Sequence, residues 1–303
     1  MRIVSLLPSA TEILFDLGAG DDVVGVTFEC DHPAEARQRR IVSTTALPAG
    51  LSPSEIDAFV AGAVARGEDL YHLDAGALAD LDPDLVVTQD LCAVCAIDVD
   101  TVDGALQHLG CRAEVVTVDP QTLAQVLESV LTIGAATCRS DTAAGAVAAA
   151  KARLDVVRRR VAGRPRPRVL VLEWTDPPYS PGHWLPDLVE AAGGVVALGA
   201  SGARSSRITW HDVRSAAADL VVVAPCGYDL DSASGLARQL VDDGLLPADV
   251  PVWAADANAS WTRPALRLVD AVEDLAAVLH PAEDLPAPAT LAAVHSSKSR
   301  ASA

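Results

Sequence analysis

The sequence lacks any uninterrupted apolar run of about 18 residues, so none of its segments reads as a membrane-spanning helix. Basic charge is scarce. Lys and Arg total 23 against 41 Asp and Glu, for a net charge of −18. That balance disfavours nucleic acid and anionic membrane surfaces as partners. Aromatic residues are only 4% of the chain. No G-x-x-x-x-G-K-[ST] phosphate loop, H-E-x-x-H zinc helix or G-x-S-x-G nucleophile elbow occurs, which removes three common enzyme classes. The first residues, Met1-Arg-Ile-Val-Ser-Leu-Leu-Pro8, are not expected to act as a secretion signal, because Glu12 and Asp16 interrupt the apolar stretch. The expectation is therefore a cytoplasmic protein with its six cysteines reduced.

What is present is an alternation. Short β-branched apolar runs at 3–6, 23–26, 41–42, 85–88 and 114–117 are separated by segments with helical spacing, such as 53–66 with Ile56, Phe59, Val60 and Val64 on one side. Two helical runs follow, 122–136 and 142–161, the second ending in Arg158, Arg159 and Arg160, which suit a helix carboxyl end. After a Pro/Arg breaker the alternation restarts with strands at 169–172, 220–224 and 252–254. The predicted fold is α/β: two lobes with parallel sheets joined by one long interdomain helix. The predicted boundaries are an amino-terminal lobe at 1–118, a helical spine at 119–163, a carboxyl-terminal lobe at 164–280 and a disordered tail at 281–303.

Three groups of residues carry candidate chemistry. Gln89-Asp-Leu-Cys92-Ala-Val-Cys95 follows the 85–88 strand and precedes a helical pattern at 100–109, which places two thiols beyond a strand's carboxyl end, where α/β sheets bind ligands. Two thiolates so spaced can be half of a zinc or other soft-metal site, and Cys30 and His32, in the loop Glu29-Cys-Asp-His32, or else His183 or His211, are candidates to complete it. The bland reading is a pair of small buried hydrophobes. All five tryptophans, Trp174, Trp184, Trp210, Trp253 and Trp261, fall in the second half, near strand ends and connecting loops. With Gln89, Glu173 and His183 they form a candidate lining for a large flat ligand, although core packing accounts for some of them equally well.

Four stretches resemble a known family. They are Arg2-Ile-Val-Ser-Leu-Leu-Pro-Ser-Ala-Thr-Glu12; Leu81-Asp-Pro-Asp-Leu-Val86; Asp176-Pro-Pro-Tyr-Ser-Pro-Gly182 with Gly193-Gly194; and residues 256–263. Their order resembles the helical-backbone metal-receptor superfamily, and within it the cobalamin-binding substrate-binding proteins of ABC importers. The resemblance implies a small-molecule-binding protein that holds cobalamin or a related corrinoid between its lobes. Relatives that dock on a permease carry an exposed acid on each lobe. Those positions align near Gly76 and His211, with Asp74 and Asp212 close by, so permease docking is not expected. The alternative is an enzyme on the same fold, using Cys92 and Cys95 as a metal or thiol centre. Oligomeric state has no sequence signal.

Overall fold

The computed structural model describes residues 1–68, 70–89, 113–283 and 285–295. The chain divides into two compact units, Met1–Pro120 with Gln125–Ala148, and Gln121–Ala124 with Ala149–Ala303. The division falls inside the 22-residue helix Ser140–Val161, which is about 33 Å long at 1.5 Å per residue.

The first unit is built on a five-stranded sheet. Its strands are β1 (Ile3–Ser5), β2 (Val23–Val26), β3 (Arg40–Ile41), β6 (Leu85–Thr88) and β7 (Glu114–Thr117), in the order β3-β2-β1-β6-β7. Every pairing is parallel. Central strands of such sheets are covered on both faces, which is why β1 and β6 are wholly buried and read as continuous apolar runs. Val4, Leu6, Val42, Leu78 and Val86 form one packed cluster, each contributing ~1.5–3 kcal/mol by leaving water. A small antiparallel pair, β4 (Ser43–Thr45) with β5 (Tyr71–Leu73), lies outside this sheet.

Local chemistry sets the helix ends. Pro53–Arg66 begins with Pro inside the first turn and a reciprocal Ser52–Glu55 capping box. It ends at Gly67, whose φ of 66° is left-handed and suits a residue without Cβ. Pro8–Asp16 also starts on proline, but its N-cap is Leu7 and makes no side-chain cap bond.

The second unit carries β8 (Arg168–Leu172), β11 (Val195–Val196), β12 (Leu220–Val223), β13 (Val252–Ala255) and β14 (Leu291–His295), ordered β11-β8-β12-β13-β14. The first three pairings are parallel, whereas β13 and β14 are antiparallel. β14 adds one antiparallel edge strand to an otherwise parallel sheet. One expectation is corrected: 291–295 is a strand rather than part of a disordered tail. Leu291-Ala-Ala-Val294 is short, but it pairs along the length of β13 and buries Leu291 at 4% exposure. Residues 296–303 lie outside the described residues. Helices Leu230–Asp242 and Leu268–Leu279 turn Ala233, Ala237 and Leu240, and Leu268, Val272 and Leu275, into the interior.

Candidate functional site at the carboxyl edge of the second sheet

In the second unit the chain leaves β8 toward β11 on one side and later enters β12 on the other. Neighbouring parallel strands whose connections diverge open a crevice at their carboxyl ends, the usual ligand position in α/β sheets. The segments emerging there are 173–184 after β8, 224–229 after β12 and 256–263 after β13.

Backbone and side-chain bonds tie these segments together. The Cys226 amide donates to the Glu173 carbonyl at 3.2 Å, and the Asn258 amide donates to the Tyr228 carbonyl at 2.9 Å. The Trp184 indole N–H donates to the Trp261 carbonyl at 2.8 Å. Arg263, 6% exposed, donates to the Asn258 side-chain oxygen at 2.8 Å. Glu173 Oε2 accepts the Gly182 amide at 2.9 Å.

Trp174 and Tyr228 meet edge to face with ring centroids 5.8 Å apart. Both are half-buried, an arrangement that leaves aromatic surface to offer a ligand. Trp174 is separated from β8 by Glu173 and opens β9 (Trp174–Thr175), which pairs with β10 (Pro178–Tyr179). Its indole N–H donates to the Asp176 carbonyl at 3.2 Å.

His183 sits on a strained turn. Its φ of 49° is left-handed, a conformation costing an L-residue about 1–2 kcal/mol. The turn is pinned from both sides. The His183 amide donates to the Ala203 carbonyl at 2.6 Å, and Gly202 returns a bond to the His183 carbonyl at 3.0 Å. A Cβ on Gly182 would lie 2.2 Å from the Ser205 amide nitrogen, so only glycine fits this approach of backbone to backbone. The imidazole lies 5.7 Å from the Trp184 ring. Its Nε2 is buried with no hydrogen-bond partner among the described residues, as is Thr175 Oγ1 in the same segment. Burial, and secondarily the Arg204 guanidinium, hold the His183 pKa below its ordinary value. Both disfavour the protonated, charged ring.

The remaining acids are ordered by caps. Asp256 accepts the Ala259 amide at 3.1 Å. Burial pushes its carboxyl up, against the bond from Ala259. Asp229 caps Leu230–Asp242 through the Ser232 amide at 2.8 Å, and its bonds with Ser232 hold its carboxyl below the ordinary value.

Not every expected lining residue is placed to touch a ligand. Trp261 has 0% exposure and Trp184 has 6%, so both indoles are packing elements. Trp210 opens helix Trp210–Ser215 and packs on the core of β8, β12 and β13. Trp253 is the second residue of β13, mid-strand rather than at its end, because β14 continues the sheet beyond it. Trp174, His183 and Glu173 share the segment after β8. Tyr228 and Asp256 were missed by sequence reasoning; Pro225-Cys-Gly-Tyr228 directly after the apolar 220–224 run was the available signal.

In the first unit, Gln89 follows β6 at 6% exposure. Cys30 is 3% exposed. Its thiol lies 3.0 Å from Thr11 Oγ1, which also donates to Ser5 Oγ at 2.8 Å, so this sulfur belongs to a buried hydroxyl chain. His32 is half-buried and precedes Pro33. Among the described residues no three His, Cys, Asp or Glu side chains gather as a metal-holding group. Cys92, Cys95 and the 100–109 helical pattern lie outside the described residues. Asp74 and Asp212, the acids near the docking positions, both cap helices: Asp74 accepts the Ala77 amide at 2.9 Å, and Asp212 accepts the Thr209 amide at 2.8 Å. Among the described residues no helix is long and apolar enough to cross a membrane.

A match to the family described as periplasmic binding protein spans residues 3–253. No curated protein matches the chain. Among solved structures, the periplasmic vitamin B12 binding protein BtuF of Vibrio cholerae superimposes with a TM-score of 0.67 at 20% identity, covering 94% of this chain and 98% of its own. A periplasmic heme binding protein from Pseudomonas aeruginosa gives 0.71 at 19% identity, with 98% and 99% covered. The heme-binding protein RhuT from Roseiflexus sp. RS-1 gives 0.66 at 20% identity, with 91% and 96% covered. At these identities the likeness establishes a shared fold.

Proposed function

The chain belongs to the periplasmic binding protein family, and on that premise we propose that it captures a metal-centred tetrapyrrole, a corrinoid such as cobalamin or else a heme. The observation that carries the reading is the Trp174–Tyr228 ring pair, half-buried and 5.8 Å apart at the carboxyl edge between β8 and β12. A large flat macrocycle gains most from rigid aromatic surface, because each ring offers wide contact at little entropic cost. The vitamin B12 and heme proteins of the same fold support the ligand class. Arginines near the edge, Arg204 and Arg207, are exposed and suit the carboxylates or phosphate that such ligands carry.

The role is capture without turnover. The described side chains at this edge form caps and packing contacts, and the half-buried Trp174–Tyr228 pair supplies adhesion. Titration with hydroxocobalamin and with hemin, followed by tryptophan fluorescence, tests the reading. One of the two quenches emission saturably in the wild type, and Trp174→Ala binds it at least about tenfold more weakly. Quenching by neither, or equal affinity in Trp174→Ala, contradicts it.

A further inference from the structure

We propose that Glu173 is a positioning residue of the site: its main chain and its carboxylate together set Trp174 against Tyr228 before any ligand arrives. For its ligand the inference rests on the tetrapyrrole reading above. Glu173 stands between β8 and Trp174 and bonds to three separate segments. Its amide donates to the Tyr179 carbonyl on β10 at 3.2 Å. Its carbonyl accepts the Cys226 amide, in the segment after β12, at 3.2 Å. Its carboxylate Oε2 accepts the Gly182 amide, at the far end of the loop, at 2.9 Å.

These bonds determine where the two rings lie. Trp174 is one residue past Glu173, and Tyr228 is two residues past Cys226. The Glu173–Cys226 bond fixes the register of one segment on the other, and the rings then meet 5.8 Å apart. The Trp174 indole N–H bonds within its own hairpin, to the Asp176 carbonyl. The Glu173 carboxylate instead reaches past the hairpin to Gly182, a buried residue. Removing that carboxylate takes the acceptor from a buried amide, which is costly unless water reaches it. Gly182 is packed backbone to backbone against Ser205, so water enters by displacing the 174–182 loop, and Trp174 moves with it. An aromatic surface held in place before association binds more tightly, because its ordering cost is already met. Glu173 therefore acts on affinity through Trp174.

Near-ultraviolet circular dichroism of the full ligand-free chain reads the placement of the rings. The band that Trp174→Ala removes from the wild-type spectrum is expected to be lost in Glu173→Ala and kept in Glu173→Gln, which retains an acceptor oxygen. A folded Glu173→Ala that keeps the band overturns the proposal even if its urea midpoint falls, since a purely structural role lowers the midpoint without moving the ring. Should Glu173→Ala fail to fold, Glu173→Asp, whose shorter side chain draws the oxygen away from Gly182, takes its place with the same expectation. Titration with hydroxocobalamin and with hemin gives the second readout. Glu173→Ala weakens binding of the probe that the wild type takes up by about fivefold or more, and Glu173→Gln by under about twofold. In a Trp174→Ala background, Glu173→Ala adds under about twofold, because the two residues act as one unit. An equal loss in both backgrounds overturns positioning, since the carboxylate then acts on the ligand by a route of its own. Uptake of neither probe by the wild type defeats the tetrapyrrole reading, and the dichroism band then decides the role of Glu173 by itself.

Discussion

The indole of Trp184 donates to the carbonyl of Trp261 across 77 residues of sequence, at 2.8 Å and out of reach of solvent. That bond fastens the segment after β8 to the π-helical turn Ala257–Trp261 after β13. Replacing Trp184 with Phe removes the donor, leaves a buried carbonyl unmet and reduces packing volume. The expected cost is about 1–3 kcal/mol, read as a lower urea midpoint at unchanged slope. A midpoint equal to wild type contradicts the role.

Trp174 and Trp261 separate adhesion from packing. Trp261→Ala empties a fully enclosed site and is expected to cost about 3–5 kcal/mol. Trp174→Ala, at a half-exposed position, is expected to cost under about 1 kcal/mol while weakening ligand binding. Paired denaturation and binding measurements check this. The opposite pattern, a destabilised Trp174→Ala that binds normally, excludes Trp174 from the ligand face.

Gly182→Ala is a test of geometry. The new Cβ meets backbone atoms of Ala203, Arg204 and Ser205, not flexible side-chain ends. The turn carrying His183 must then open. Loss of ligand binding is expected at a stability cost of roughly 1–3 kcal/mol. Wild-type affinity in Gly182→Ala means the turn is not part of the site.

Acid weakens the fold in a defined window. Burial lowers the His183 pKa below 6.5, and burial with the Arg164 charge does the same for His280. A histidine depressed in the folded state is bound by more protons when unfolded, so its stabilising contribution is complete above about pH 6.5 and is lost as pH falls below it. Melting temperature is therefore expected to fall from about pH 7.5 to 5.5, with part of the slope removed in His280→Gln. The carboxylate of Asp229, held down by Ser232, contributes only to losses at lower pH, near and below the ordinary carboxylate range. A flat melting profile over the histidine window contradicts the burial of these rings.

The main sheets were legible because their strands are apolar on both faces. Leu85–Thr88 and Leu220–Val223 are continuous β-branched runs and were found at their observed positions. Pro53–Arg66 was legible from periodicity and its opening proline. The short strands were not. Val195–Val196 and Pro178–Tyr179 have two residues each, too few for any alternation to register. Leu291–His295 was masked by its proline-rich approach at 281–288.

The site was legible in part. Tryptophan enrichment pointed to the second unit, but a sequence does not say which indole is enclosed, since Trp184 and Trp261 are buried by contacts with each other's distant segments. Tyr228 is set opposite Trp174 by the adjacency of β8 and β12, a pairing of strands about 50 residues apart. The strain at His183 is conformational and leaves no mark in composition.

The most direct measurement is calorimetric titration of the purified chain with hydroxocobalamin and, separately, with hemin. Saturable one-to-one binding of one of them, with a Kd of about 1 μM or tighter, is the expected result. Absence of saturable heat with both at concentrations up to about 100 μM contradicts the assignment of this protein as a tetrapyrrole-capturing member of its family.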